Sequence, residues 1–236
     1  MTYPTTARTL LGNIEHNLRG IRARVGDRLV LAAVKADAYG HGAVAVSRMI
    51  ERTGAADWLG VATVEEGLQL RDAGVSLPIL KFSPTRDVDD VTRALLAGIT
   101  LSVVDEASIA QVAAVADALD LSEVAVHLKV DTGMRRVGAE PADAPALAAS
   151  IAGHPRLRLQ GVFSHLPISD SPAGDDFTRH QTRLFADTMT AIEAVAGPDS
   201  GPERRARRRV PDVGRSSFGH PWNPNNRNRG LFAHRS

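Results

Sequence analysis

The feature that most constrains this chain is an alternation of short apolar runs with helical patterns, repeated six times between about residues 28 and 197. The runs are 29–35 (LVLAAVK), 58–62 (WLGVA), 78–82 (PILKF), 100–104 (TLSVV), 124–130 (VAVHLKV) and 159–165 (LQGVFSH). Each is nearly continuously apolar, as parallel strands covered on both faces have to be. The helices between them have legible ends. Thr63 and Glu66 form a capping-box pattern, and Gly74 closes the helix they open. Asp105 is placed to cap a helix running to Leu119, with Ile109, Val112, Val115 and Leu119 at helical spacing. Residues 175–196 put Phe177, Leu184, Phe185 and Ile192 on roughly one face before Gly197-Pro198 stops the helix. An additional helix over 10–25 precedes the first run.

Six βα units in a row imply an α/β fold with right-handed crossovers, and both a doubly wound sheet and a TIM barrel fit that pattern. No GxGxxG fingerprint follows the first strand, which weakens the dinucleotide-binding form. A lysine follows it instead, and barrels carry their chemistry at the C-terminal ends of strands. The expected fold is therefore (β/α)8 TIM-barrel type, incomplete, with about six βα units.

The remainder reads differently. The formal net charge of +1 conceals nine arginines against Glu203 and Asp212 in residues 201–236, while the preceding residues are net acidic. This stretch is dense in Arg, Pro, Gly and Asn, and no seventh or eighth strand is visible in it. The sequence predicts an incomplete barrel domain over 1–198 and a disordered, arginine-rich tail over 199–236. Cysteine is absent, which excludes disulfides, zinc-thiolate sites and a cysteine nucleophile, and no metal is expected. With no long apolar run and no signal-peptide layout at the N-terminus, a cytoplasmic enzyme is expected, with no membrane partner.

The sharpest motif is VKADAYGHG at 34–42, at the junction of the first strand and its helix. A lysine ending a buried strand is poorly solvated, so its neutral amine becomes accessible, which suits imine formation with a carbonyl cofactor. Tyr39 lies four residues on, where its hydroxyl can reach a phosphate, and Gly40 and Gly42 let the backbone approach a ligand. Taken singly, these residues also fit a snorkelling lysine beside an ordinary glycine loop. His165 alone fits a hydrogen-bonded structural histidine, Arg136 a surface ion pair, and Lys129 a buried lysine paired with a carboxylate such as Asp131.

The string VKADAYGHG resembles the pyridoxal-phosphate lysine signature of alanine racemases. The I-x-H-N-L at 14–18, KVDTGM at 129–134 and GVFSH at 161–165 fall in that family's order and spacing, so the resemblance covers roughly residues 8–197. It implies a TIM barrel binding pyridoxal 5'-phosphate, followed by a mostly β domain that this chain is expected to lack. It also implies a homodimer and the interconversion of L- and D-alanine. Matched position by position, Lys35 would be the Schiff-base lysine and one of two catalytic bases. Tyr39 would contact the cofactor phosphate. Arg136 would hydrogen-bond near the cofactor's phenolic oxygen and help bind the substrate carboxylate. His165 would lie against the pyridine ring, and Lys129 matches a lysine that is carbamylated in some members. Arg135 stands where a small residue is common in the family.

In that family a tyrosine from the partner subunit's second domain serves the opposite face of the substrate. Neither Tyr3 nor Tyr39 occupies its place. The change of character between about residues 194 and 209 reads as a truncated or frameshifted racemase with at most a trace of turnover. Two other readings stay open, a non-catalytic pyridoxal-phosphate-binding protein and a binding protein using the basic run Arg204-Arg205-Ala206-Arg207-Arg208-Arg209. Such a run binds phosphates in a salt-sensitive way, although nucleic acid is not the expected partner.

Overall fold

The structure is a computed structural model, and it describes residues 7–196. Tyr3, the Gly197-Pro198 stop, the predicted tail and its arginine cluster lie outside the described residues. The elements run α1 (Leu11–Val25), β1 (Leu31–Ala33), α2 (Lys35–Gly40), α3 (Ala43–Thr53), β2 (Trp58–Val61), α4 (Val64–Asp72), β3 (Ile79–Lys81) and α5 (Val88–Leu96). They continue with β4 (Ile99–Val103), α6 (Glu106–Ala118), β5 (Val124–Lys129), α7 (Ala144–Gly153), β6 (Leu157–Phe163) and α8 (Asp175–Ala196), the last preceded by a 3-10 turn at Pro172–Gly174.

Local chemistry accounts for the helix ends. The Thr63 hydroxyl accepts from the Glu66 amide while the Glu66 carboxylate accepts from the Thr63 amide, closing the box that starts α4. Asp105 does the same for α6 with Ser108 as the reciprocal partner, and Asp87 caps α5 through the Asp90 amide. Gly54 ends α3 in the left-handed conformation, where a side chain would be strained.

All five strand pairings are parallel, and the sheet order is β1-β2-β3-β4-β5-β6. A doubly wound sheet reverses its order at a switch point, whereas an unbroken sequential order is what a barrel requires. The side-chain alternation agrees. Leu59, Val61, Ile79, Leu101, Val126 and Leu128 point one way and join buried helix residues such as Met49, Ile50, Leu70, Val112 and Ile151 in the main core. Trp58, Leu80 and Phe163 point the other way and form a second cluster with Leu29, Leu31 and Phe82 that contains no helix residue. The helices thus cover one face only.

On the other face small residues make room for large ones. A Cβ on Gly60 would fall 1.9 Å from the Phe82 ring, and one on Gly161 would fall 2.7 Å from the His127 ring. His127, 1% exposed, packs against Trp58 and Phe163 with ring centroids 5.5 and 6.3 Å away.

The first strand departs from expectation. It is three residues long, not seven, and every residue in it is half-exposed, whereas β2 and β3 are fully buried. The reason is position: among the described residues β1 and β6 each have one hydrogen-bonded neighbour, so neither is covered like a central strand.

Candidate active site

Three strand ends build the site. The first is the segment after β1. Val34 donates its amide to the Gly60 carbonyl of β2, and Lys35 is the residue that follows it. The next four residues, Ala36, Asp37, Ala38 and Tyr39, have φ of 50, 53, 52 and 56°, so α2 is a left-handed helical turn made of residues that carry Cβ atoms. Each costs roughly 1–2 kcal/mol relative to a right-handed conformation, so surrounding bonds have to over-determine the turn. They do. Ala38 donates to the Val34 carbonyl at 2.8 Å and Gly42 to the Asp37 carbonyl at 2.9 Å. The Asp37 carboxylate accepts from the Ala43 amide at 2.6 Å, and the Glu66 carboxylate accepts from the Ala36 amide at 2.7 Å. Lys35 is half-buried, and Tyr39 is 53% exposed on this turn, not in an irregular loop. Glycine enters only at the exit, where Gly40 and Gly42 have φ of 81 and 89°.

The second strand end is β5, which delivers Lys129 and then a loop folded around Asp131. That carboxylate accepts the amides of Gly133 and Arg135 on one oxygen and of Arg136 on the other, at 2.9 to 3.0 Å. Burial works against the charged form of Asp131, but these three amides and the Arg135 charge hold its carboxyl below the usual range. The loop closes by paired bonds of 2.8 Å, Asp131 amide to Ala139 carbonyl and Ala139 amide to Lys129 carbonyl. Gly138 permits the closure, since a Cβ there would fall 2.6 Å from the Asp131 nitrogen. Arg135 turns outward to pair with Glu140 and does not crowd the recess. Arg136 is exposed, with no side-chain hydrogen bond or ion pair among the described residues.

The third end is β6, with Ser164 and His165. The Thr132 and Ser164 hydroxyls lie 2.7 Å apart, and Gln181 of α8, fully buried, donates to the Thr132 hydroxyl and the His165 carbonyl at 3.4 and 3.3 Å. Gln181 therefore holds the β5 and β6 loops together. In the sequence Glu66 shows only as a helix-capping residue, Thr132 and Ser164 only as members of the KVDTGM and GVFSH strings, and Gln181 only as a long polar side chain within the apolar pattern of the last helix.

Electrostatics tie the three ends into one site. Lys129 is 5% exposed, with Nζ 3.5 Å from the Phe82 carbonyl and 5.5 Å from the centre of the Phe163 ring. Burial, then the charges of Arg136 and Lys35, pull its pKa from 10.5 to about 8 against the opposing pull of Asp131. Lys129 is thus a buried lysine whose nearest oxygen partner is a backbone carbonyl rather than Asp131. His165 is held below the ordinary histidine value by burial first and then by Arg136, Lys129 and Lys35. Lys129, Asp131, Met134, Val137, Ser164 and His165 line a small recess together with Val130. The arrangement is a cluster of cationic and basic groups at the carboxyl ends of β1, β5 and β6, suited to an anionic ligand.

Residues 10–200 match the family model described as alanine racemase, N-terminal domain. The chain belongs to that family. The alanine racemase of Cutibacterium acnes is 46% identical over 195 residues, 83% of this chain and 52% of that protein, and the one from Sorangium cellulosum is 40% identical over 193 residues. The chain spans about half the length of these curated relatives. Among solved structures, alanine racemase of Clostridium difficile 630 matches with a TM-score of 0.78 at 27% identity, covering 86% of this chain and 56% of that one. The fold is thus the (β/α)8-barrel type of alanine racemase N-terminal domains, and the face carrying Trp58, Leu80 and Phe163 is the barrel interior. No helix among the described residues is long and apolar enough to cross a membrane.

Proposed function

We propose that this chain uses Lys35 to hold pyridoxal 5'-phosphate at the barrel mouth and contributes that half of a site interconverting L- and D-alanine. The observation that carries the reading is the meeting of Lys35, Lys129, Arg136 and His165 in one electrostatic neighbourhood, where the Lys35 and Arg136 charges add to burial in lowering the basicity of Lys129 and His165. A dianionic phosphate and a phenolate relieve that repulsion, so the donor set fits this cofactor. When bound, the cofactor supplies an electron sink for the charge that develops when the substrate Cα loses its proton.

The residues of this chain then divide the work. The Lys35 amine would hold the cofactor at its carbonyl carbon and would move a proton at the substrate Cα on one face. Arg136, whose fork is free of side-chain partners among the described residues, offers parallel N–H donors to a phenolate or a substrate carboxylate. His165, whose charged form is disfavoured by burial and by the neighbouring cations, would face the cofactor ring without adding a further charge. Tyr39, exposed on the turn, is assigned to the phosphate. Lys129, with its amine made accessible near neutral pH, is the group able to react with carbon dioxide, and as a carbamate it would orient Arg136. By the same resemblance the working form is a homodimer acting on alanine.

The test is reductive trapping. Protein incubated with pyridoxal phosphate and reduced with borohydride should carry the label on Lys35, located by peptide mass spectrometry, and the Lys35→Ala variant should lose both the label and the visible absorbance of the complex. Wild-type protein whose Lys35 is labelled no faster than its α-amine, or a Lys35→Ala variant that keeps the visible absorbance, contradicts the reading.

A further inference from the structure

We propose that Glu66, at the start of α4 and outside the recess, is a positioning residue for Lys35; the inference rests on the assignment of Lys35 to the cofactor. Its carboxylate serves two masters. One oxygen accepts the amides of Ala62 and Thr63, at 2.7 and 3.2 Å, which completes the capping box of α4. The other accepts the amide of Ala36 at 2.7 Å, thirty residues away in sequence. Ala36 directly follows Lys35 and is the first residue of the left-handed turn. A strained turn relaxes unless its ends are fixed. Its exit is fixed by Asp37 and Gly42, through the Ala43 amide and the Asp37 carbonyl. Its entry is fixed by Ala38 bonding back to the Val34 carbonyl and by Glu66. Of these contacts only Glu66 reaches the Lys35–Ala36 peptide from another βα unit. It thereby sets the direction in which the Lys35 side chain leaves the strand end.

The two-sided use explains why a carboxylate is needed. Both of its oxygens face N–H donors. A glutamine at this position has one acceptor and one NH2 group, so it has to leave either Ala36 or the Ala62–Thr63 pair facing another donor. Thr63 provides the separating control. Among the described residues its hydroxyl accepts only the Glu66 amide, at 3.2 Å, so T63A weakens the helix cap and leaves the carboxylate contacts in place.

The experiment compares full-length wild-type protein with E66Q, E66D and T63A. Two quantities are read: hydrogen exchange of the amides over residues 36–42 without added ligand, and the rate of borohydride-trapped labelling of Lys35 by pyridoxal phosphate, normalised to the α-amine. E66Q should speed exchange in that segment and slow Lys35 labelling about tenfold, the scale of one lost charge-assisted hydrogen bond. E66D keeps the charge but withdraws it by one methylene, and should act in the same direction should E66Q fail to fold. T63A should lower thermal stability and leave both readouts near wild type. Wild-type labelling at a rate that neither E66Q nor E66D changes overturns the inference alone, as does T63A reproducing both effects. Absence of Lys35 labelling in wild-type protein overturns the cofactor assignment and the inference with it.

Discussion

Replacing Lys129 with methionine isolates the energetic cost of holding a cation among cations. The side chain is 5% exposed and its pKa falls from 10.5 to about 8, through burial first and the charges of Arg136 and Lys35 next. By linkage that difference corresponds to about 3 kcal/mol of destabilisation when the amine is charged in both folded and unfolded chains. The sign follows from proton counts. Between pH 8 and 10.5 the unfolded chain binds more protons at this position than the folded one, so unfolding free energy rises with pH across that window. The penalty is fully present below pH 8 and relieved above 10.5. From pH 7 to pH 9 the relief amounts to about 1 kcal/mol. Methionine has similar length, no charge, and a thioether suited to the Phe163 ring. Lys129→Met should therefore be more stable than wild type at pH 7, and its advantage should shrink as pH rises. Urea denaturation of both proteins at several pH values measures this, and subtracting the curves cancels the titrating groups that do not interact with Lys129. Parallel curves from pH 7 to 9 would refute the reasoning.

Two further outcomes follow from the same geometry. Gly161→Ala drives a methyl group into the His127 ring, where the Cβ would lie 2.7 Å from Cε1, and should cost about 1–3 kcal/mol in denaturant unfolding; an unchanged midpoint would mean the interior is loosely packed. Asp131→Asn removes a carboxylate held below its usual pKa, whose contribution is present above the unfolded value of 3.8 and lost as pH falls through the folded one. The wild type should therefore lose stability on acidification more steeply than the variant, and equal acid limbs by circular dichroism would count against the three-amide cradle.

Periodicity carried most of the architecture, because buried strands and capped helices leave signals in adjacent residues. Thr63 with Glu66 and Asp105 announced α4 and α6, and the apolar runs located all six strands to within a few residues. What stayed hidden depends on contacts distant in sequence. Ala36, Asp37, Ala38 and Tyr39 carry no intrinsic preference for positive φ; Glu66, Val34 and Gly42 impose it. The exposure of β1 follows from its neighbours, not its composition, since LVLAAVK is as apolar as the central strands. In the site, Lys35, Tyr39, Arg136, His165 and Lys129 stood out by residue type and motif. The use of Asp131 to fold the arginine loop, and of Gln181 to join two strand ends, emerges only once the chain is folded, the first through the loop's own amides and the second through α8 reaching Thr132 and His165.

In the proposed function the Lys35 amine shares one rim with Arg136 and His165. The most direct measurement is the titration of the His165 imidazole by nuclear magnetic resonance in wild-type protein, Lys35→Gln and Arg136→Gln. The imidazole should titrate below the ordinary histidine value of 6.5 in wild type and move upward in both variants as a neighbouring positive charge is removed. An imidazole that titrates identically in all three proteins would separate the lysine from the histidine and leave the proposed site without its nucleophile.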